Sequence, residues 1–390
     1  MQRGRSLLLL LSLFLVTALL AAACGGGSSK APESTAKPGA EPIVLGAVAS
    51  LTGNQTSTGQ HMLNGIKLAI EEWNSKGGVN GRPIKLEVVD DASQPSGAVN
   101  AFNKLIAEKK PAAVFGPNFS NFILAMEPYV KQAGVPVLTG STAPKITQIG
   151  NPWFFRLRTN DAIVGKLAVT FAVKEMGAKK IGLLYVAGDY GAGATNVIKT
   201  TLEQLGTPPI GIEVYNPEDK DMTAQLLNLS KKGADIIIPW SYPPDAGLIL
   251  TQANQLGLKT KFLCGPAYGT PEVFNLAKEA TNGKFILMDF IIGEDQKTQA
   301  WAKALKEKTK DDANFVSGAY YDGTNILLTA IQKAGTKPED LRQALLATKG
   351  FKGIIGEFNF DNNGDGLRQV YIAEVKNQKP TLVKLIKEEK

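Results

Sequence analysis

The stretch IVLGAVASLTGNQTSTGQHMLNGIKLAIEEWNSKGGVNGRPIKLEVVDD, residues 43–91, holds a complete strand–helix–strand unit. Ile43 to Ala49 reads as a short buried strand. Met62, Leu63, Ile66, Ala69, Ile70 and Trp73 then recur at helical spacing, and Gly77-Gly78 ends that helix. Ile84 to Val89 is a second strand, closed by Asp90-Asp91.

The unit repeats along the chain. Pro95 opens a helix with Val99, Phe102 and Ile106 on one side. Ala112 to Phe115 is a third strand, a helical stretch runs to Ala133, and Val135 to Leu138 is a fourth strand. After a break near Asn160-Asp161 the pattern resumes, with strands at Ile181 to Val186, Ile210 to Val214, Ile236 to Pro239 and Lys261 to Leu263. Strict strand–helix alternation means parallel sheets covered by helices on both faces. Two such runs predict an α/β protein of two doubly wound lobes. Beyond Phe285 to Phe290 come helical stretches at Lys297–Lys308, Phe315–Ala334 and Pro338–Ala347. The tail is β in character: Gly356 to Phe360, a turn, then Gln369 to Glu374 and Thr381 to Ile386.

Ahead of this body stand Arg3 and Arg5, an apolar-to-neutral run from Leu7 to Ala23, and Cys24 followed by Gly25-Gly26-Gly27-Ser28-Ser29. A basic start, a short apolar core and small residues before a cleavage point make a secretory signal. Ala21-Ala22-Ala23-Cys24 resembles a bacterial lipobox, with Ala21 where Leu is usual. In that reading residues 1–23 are removed and Cys24 carries the lipid, anchoring the protein outside the cytoplasm. The competing reading is an uncleaved membrane helix, for which the run is at the bottom of the spanning range. Gly25 to Pro42 has no large apolar side chain and cannot offset its ordering entropy. As a flexible tether, residues 24–42 would reach roughly 20–25 Å.

Composition narrows the function classes. The 44% hydrophobic and 20% charged residues are ordinary for a globular protein. Without the two signal arginines the formal charge falls from +7 to +5. No basic run is interleaved with aromatics, so no nucleic-acid partner is expected. One histidine, His61, and two cysteines argue against a metal site. If Cys24 is lipidated, Cys264 has no disulfide partner and is expected to be a buried, inert thiol. No cofactor is expected.

Ligands of open parallel sheets lie beyond the carboxyl ends of the strands, where helix N-termini present free N–H groups. Those ends carry Gly116-Pro117-Asn118-Phe119-Ser120 and Thr139-Gly140-Ser141-Thr142 in the first lobe. In the second they carry Gly188-Asp189-Tyr190-Gly191, Ser241-Tyr242-Pro243-Pro244 and Gly265-Pro266-Ala267-Tyr268. Ser120, Ser141 and Thr142 can hydrogen-bond a carboxylate, and the tyrosines supply an apolar wall with a hydroxyl. Taken singly, each is equally a capping or core residue.

From Ile43 to about Leu385 the chain resembles the type I periplasmic binding proteins, in particular the branched-chain amino-acid receptors of ABC transporters. The resemblance rests on the order and spacing of Leu51-Thr52-Gly53, Asn74 with Lys76-Gly77-Gly78, Asp90-Asp91, Thr142-Ala143-Pro144, Tyr190-Gly191, Tyr242 with Gly247, Tyr321-Asp322 and Gly356-Glu357-Phe358-Asn359-Phe360-Asp361 with Gly364-Asp365. It implies a Venus-flytrap architecture with three crossings, near Asn160, Phe290 and Gly356. Lobe 1 would then comprise residues 43–160 and 290–356, and lobe 2 residues 161–289 and 357–390. It further implies that Thr58, Ser120, Gly140, Ser141, Thr142, Tyr190, Tyr242 and Ala267 face a small-molecule ligand. The second-lobe acid that completes the ammonium cage in leucine-type receptors falls at Ala267, and the tyrosine many relatives carry in the first loop falls at Thr58. The cysteine pair of some relatives falls at Ser93 and Phe119. Asp189 or Asp245 could supply the missing charge for an amino acid. Otherwise the ligand lacks an ammonium group, as an aliphatic or aromatic carboxylate or an amide does.

Other motifs have plainer readings. Asp361-Asn362-Asn363-Gly364-Asp365-Gly366 matches half a calcium loop, but Ile372 stands where the bidentate Glu belongs, and a hairpin turn explains it better. There is no G-x-S-x-G elbow, and His61 sits on the first helix beside Met62. The expected function is non-enzymatic: a monomeric, lipid-anchored receptor handing an amino acid of branched-chain type, or a related carboxylate, to an ABC permease. A ligand sensor without transport is the alternative.

Overall fold

The computed structural model of the chain describes residues 40–388 apart from 218 and 294. The expected signal peptide (1–23), the lipidation site Cys24 and nearly all of the tether lie outside the described residues. No described helix is long and apolar enough to cross a membrane.

The first lobe is built on a five-stranded parallel sheet in the order Ile84–Asp90, Ile43–Ala49, Val114–Phe115, Val137–Thr139, Phe154–Arg156. The two-residue period of the first strand explains why both faces are covered. Ile43, Leu45, Ala47 and Ala49 enter one core with Phe315, Ala319, Ile326 and Leu327, whereas Val48 enters another with Phe102, Phe119, Ile123 and Met126. The helices Thr56–Ser75 and Phe315–Ala334 pack closely, and Gly65 permits it: a Cβ there would stand 2.1 Å from the Ser317 carbonyl oxygen.

The second lobe carries a seven-stranded sheet in the order Lys379–Lys387, Gln369–Lys376, Phe285–Met288, Lys261–Cys264, Ile236–Trp240, Ile181–Val186, Gly211–Tyr215. Five of these strands run parallel, and the last two residue stretches of the chain add an antiparallel pair at one edge. Ile181, Leu183, Ile237, Phe262, Leu263 and Ile286 fill its core.

Two features depart from the sequence reading. Phe154–Arg156 is a strand the apolar pattern hides, because it is only three residues long and ends on a buried arginine. The third crossing also comes later than Gly356. Glu357–Phe358 pairs antiparallel with Phe351–Lys352, and Phe358, Phe360 and Leu367 belong to the first-lobe core. Phe360 meets Phe155 edge-on at 5.5 Å, and Asp365 pairs with Arg156. These contacts hold residues 357–367 to the first lobe, and the chain crosses between Leu367 and Val370, which joins the second-lobe core. The first crossing follows Leu157, and the second lies between Met288 and Phe290.

Candidate functional site

The carboxyl ends of the two parallel sheets face each other across a small cavity, partly open to solvent. Thr58, Ser120 and Thr142 line it from the first lobe, and Tyr190, Tyr242 and Ala267 from the second. These six sequence-predicted residues, far apart in the chain, share one cavity. Gly140 and Ser141 do not line it. Asn118, Phe119 and Pro243, from the loops expected at the strand ends, do, and so do Arg158, Phe315 and Val316, which the sequence reading did not single out.

Gly140 and Ser141 shape the first-lobe wall from behind. The Gly140 N–H donates to the Tyr320 hydroxyl at 3.0 Å, and that hydroxyl donates to the Gly116 carbonyl at 2.7 Å. A Cβ on Gly140 would lie 2.1 Å from the Asn118 side-chain oxygen, so any larger residue would have to displace the Asn118 side chain. The Ser141 hydroxyl donates to the Pro117 carbonyl at 3.0 Å, while its own carbonyl accepts from Arg156 at 2.8 Å. Both are engaged behind the wall, and neither reaches the cavity. They fix the loop that presents Thr142.

Ser120 and Thr142 have opposite hydrogen-bond polarity. Ser120 opens the helix Ser120–Ala133, and its Oγ accepts the Ala143 N–H at 3.1 Å, which leaves its hydroxyl hydrogen free to donate. The Thr142 hydroxyl donates to Asp161 Oδ2 at 2.9 Å, and the Asp161 N–H donates back to the Thr142 carbonyl at 2.9 Å. With its hydrogen committed, Thr142 Oγ1 can only accept from the cavity side.

The second lobe brings a stacked pair. Tyr190 lies in the first turn of the helix Asp189–Gln204, and Tyr242 immediately precedes Pro243–Gln255, whose leading prolines suit a helix start. Their rings stand 5.1 Å apart and are inclined by 19°. Tyr242 also meets Phe119 of the first lobe edge-on at 5.5 Å, so the two lobes are in contact at the cavity. Burial pushes both phenols well above their ordinary range. A further wall comes from Phe315 and Val316. The Asn314 side chain caps their helix, accepting the N–H groups of Val316 and Ser317, and so turns its first residues toward the cleft.

The charges in this region are unequally satisfied. Arg158 lies 4.1 Å over the Phe315 ring and donates two hydrogen bonds to Asp289 Oδ2, at 2.8 and 2.9 Å. That pair is buried and self-neutralising. Asp161, wholly buried, has a partner for Oδ2 but none for Oδ1. Burial raises its pKa to about 7, against the Thr142 hydrogen bond and the fields of Arg158 and Arg156. The two acids suggested from sequence are placed elsewhere. Asp189 is half-exposed and pairs with Lys145 at 3.2 Å. Asp245 accepts from the Tyr215 hydroxyl at 3.3 Å, and burial raises its pKa to about 6. Neither lines the cavity.

The remaining motifs resolve into architecture. In the calcium-like loop, Asp361 accepts from the N–H groups of Asn363 and Asp365 and from Arg368, while Asp365 accepts from Arg156, Asn160 and Thr147. Those side-chain oxygens are taken. Cys264 is buried and free, and burial holds its thiol protonated. His61 lies on the first helix, partly buried, with its pKa lowered by that burial against the pull of Asp311 and Asp312.

Comparison with known proteins agrees with this architecture. A family profile described as periplasmic binding protein matches residues 42–380. The leucine-, isoleucine-, valine-, threonine- and alanine-binding protein of Pseudomonas aeruginosa is 30% identical over 84% of this chain and 87% of its own length. The crystal structure of a leucine-binding protein from Thermotoga maritima superposes with a TM-score of 0.82, at 28% identity, over 88% of this chain and 99% of that one. A solute-binding protein of an R. palustris ABC transporter, solved in complex with 4-hydroxybenzoate, reaches a TM-score of 0.82 at 22% identity, over 89% and 98% of the respective chains. At that identity the likeness concerns the fold.

Proposed function

From the premise that the chain belongs to the periplasmic binding protein family, we propose that it is the extracytoplasmic receptor of an ABC importer and captures an amino acid of branched-chain type between its lobes. The observation that carries this reading is the pairing of Ser120 and Thr142 on one wall with the stacked Tyr190 and Tyr242 on the other. One wall offers a hydroxyl donor and a hydroxyl acceptor about the ends of a small zwitterion. The other supplies apolar surface that closes over it. The names of the similar proteins from Pseudomonas and Thermotoga point to the same ligand class.

Closure would follow as a hinge motion about the three crossings, which small-angle scattering reads as a smaller radius at saturation. Delivery to a permease and anchorage through Cys24 belong to the same reading. Cys24→Ser should release the protein from membranes with ligand affinity unchanged, and retention would point to an uncleaved helix instead.

A second reading is favoured by one observation. Ala267 stands on the second-lobe wall with no acid to offer, which suits a carboxylate without an ammonium group. Thermal-shift titration of the purified body against L-leucine, L-isoleucine, L-valine, 4-methylpentanoate and 4-hydroxybenzoate separates the two. A ligand at 100 times its dissociation constant adds about 2.7 kcal/mol. Stabilisation by the amino acids supports the first reading, and stabilisation by the deaminated acids alone overturns it.

A further inference from the structure

We propose that Asp161, at the first crossing between the lobes, supplies the negative charge that Ala267 lacks, so that the ligand's ammonium group is held from the hinge side rather than clamped by the second lobe. The inference rests on the amino-acid reading above and specifies how that site selects its ligand.

Three observations meet here. Asp161 is wholly buried, yet its Oδ1 has no partner, a rare condition for a buried polar atom. Its other oxygen is tied to Thr142, which lines the cavity and faces it only as an acceptor. Asp161 does not itself line the cavity but stands one hydrogen bond behind Thr142, so its ionised form places a negative charge directly behind an acceptor that faces the pocket, an arrangement complementary to N–H donors and not to a carboxylate. The nearby cations are committed as well. Arg158 is spent on Asp289 and Arg156 on Asp365, so neither neutralises Asp161 by direct contact.

The groups that face Asp161 can be enumerated. They are Thr142 on its loop, Arg156 and Arg158 on the preceding strand and crossing, Asp289 at the second crossing, and Tyr190 and Tyr242 from the second lobe. The tyrosines stay protonated throughout the neutral range. Burial raises the Asp161 pKa to about 7, so its charge changes near neutrality. A cation bound beside it favours the ionised carboxylate, so such a ligand expels a proton on binding and binds more tightly as pH rises from 6 to 8. An anionic ligand without an ammonium group does the reverse.

The test is isothermal titration calorimetry of the mature protein with L-leucine and 4-methylpentanoate at pH 6, 7 and 8, in phosphate and in Tris so that proton exchange is counted. Leucine is expected to release protons at pH 7. Asp161→Asn is expected to abolish that release and weaken leucine by about ten- to a hundredfold, with 4-methylpentanoate held or strengthened. Adding Ala267→Glu to Asp161→Asn should restore leucine by placing an acid on the opposite wall. Leucine binding without proton exchange, or equally to the wild type and Asp161→Asn, overturns the inference and leaves the amino-acid reading standing. Wild-type protein that binds only 4-methylpentanoate overturns the reading itself. Should Asp161→Asn fail to fold, the wild-type proton count decides alone.

Discussion

Asp161 and Asp365 are both buried aspartates at crossings between the lobes, and they are furnished in opposite ways. Asp365 accepts from Arg156 Nε at 2.6 Å, Asn160 at 3.0 Å and Thr147 at 3.1 Å. Burial works against its charge, but Arg156 and these hydrogen bonds prevail and hold its pKa below the usual carboxylate range. Asp161 has one hydroxyl partner, an empty oxygen and a pKa raised to about 7 by burial. A fully satisfied buried acid is a fixture of the fold. A half-satisfied one is capacity held in reserve, and its unfavourable free energy in the empty protein is what a complementary ligand can relieve.

The comparison breaks most visibly in stability. Asp365→Ala leaves Arg156, which is wholly buried, without its charge partner. The expected loss is about 3–5 kcal/mol of unfolding free energy, read by urea denaturation at pH 7. Because the folded pKa of Asp365 lies below its unfolded value, its stabilisation is present above about pH 4 and fades as pH falls through the folded pKa. A loss under 1 kcal/mol would mean that the ring packing of Phe155 and Phe360 holds the third crossing without the ion pair.

Asp161 should act with the opposite sign. Its folded pKa lies above the unfolded one, so between about pH 4 and 7 the native state binds the extra proton and stability falls as pH rises. Above pH 7 the ionised carboxylate costs on the order of 2–4 kcal/mol in the unliganded protein. Asp161→Asn should therefore raise the melting temperature at pH 8 and leave it nearly unchanged at pH 4, provided no ligand is bound. Destabilisation at pH 8 would show that Oδ1 is satisfied in solution, and the contrast between the two acids would disappear.

The two acids also mark how far the sequence can be read. Strand–helix periodicity exposes both sheets, because buried parallel strands need runs such as Ile236-Ile237-Ile238 and helices need spaced apolar residues. It also places the loops at the strand ends, which is why Ser120, Thr142, Tyr190 and Tyr242 were legible as one edge. Asp161 was visible only as a break between two runs. Its burial depends on side chains from Arg156, Thr142 and the second lobe, and no local pattern records that. Phe315 and Val316 read as ordinary positions at the head of a predicted helix. They reach the cavity because Asn314 caps that helix and the helix packs on Thr56–Ser75, a partner some 250 positions earlier. The acidic turn Asp361–Gly366 misleads in the other direction. Its residues look like cation ligands, and Arg156 and Arg368 are the cations they serve.

Thr142 sharpens the comparison on the ligand side. Thr142→Val preserves shape and removes the one hydroxyl that Asp161 has, leaving both carboxylate oxygens bare. L-leucine affinity is expected to fall by about 1.5–3 kcal/mol, or ten- to a hundredfold, and the proton released on binding should titrate at higher pH than in the wild type. Ser120→Ala tests the other end of the ligand. It deletes the free hydroxyl hydrogen and should weaken leucine and 4-methylpentanoate alike, because both carry the carboxylate. Unchanged leucine binding in Thr142→Val would detach the site from these loops.

The smallest effect belongs to Lys145 and Asp189, the ion pair that spans the lobes at the surface. Both side chains are about half exposed, at 59% and 43%, so solvent screens their attraction. The pair resembles Arg156–Asp365 in joining elements distant in the chain, and differs in having water on every side. Lys145→Ala should therefore weaken leucine binding by no more than about 1 kcal/mol, and the deficit should vanish by 0.5 M salt, where Asp161→Asn still binds weakly. Calorimetry at 0.05 and 0.5 M sodium chloride reads the difference. A large, salt-resistant loss in Lys145→Ala would place a buried determinant of closure at the surface pair. Burial would then no longer be what separates the acids that matter from those that do not.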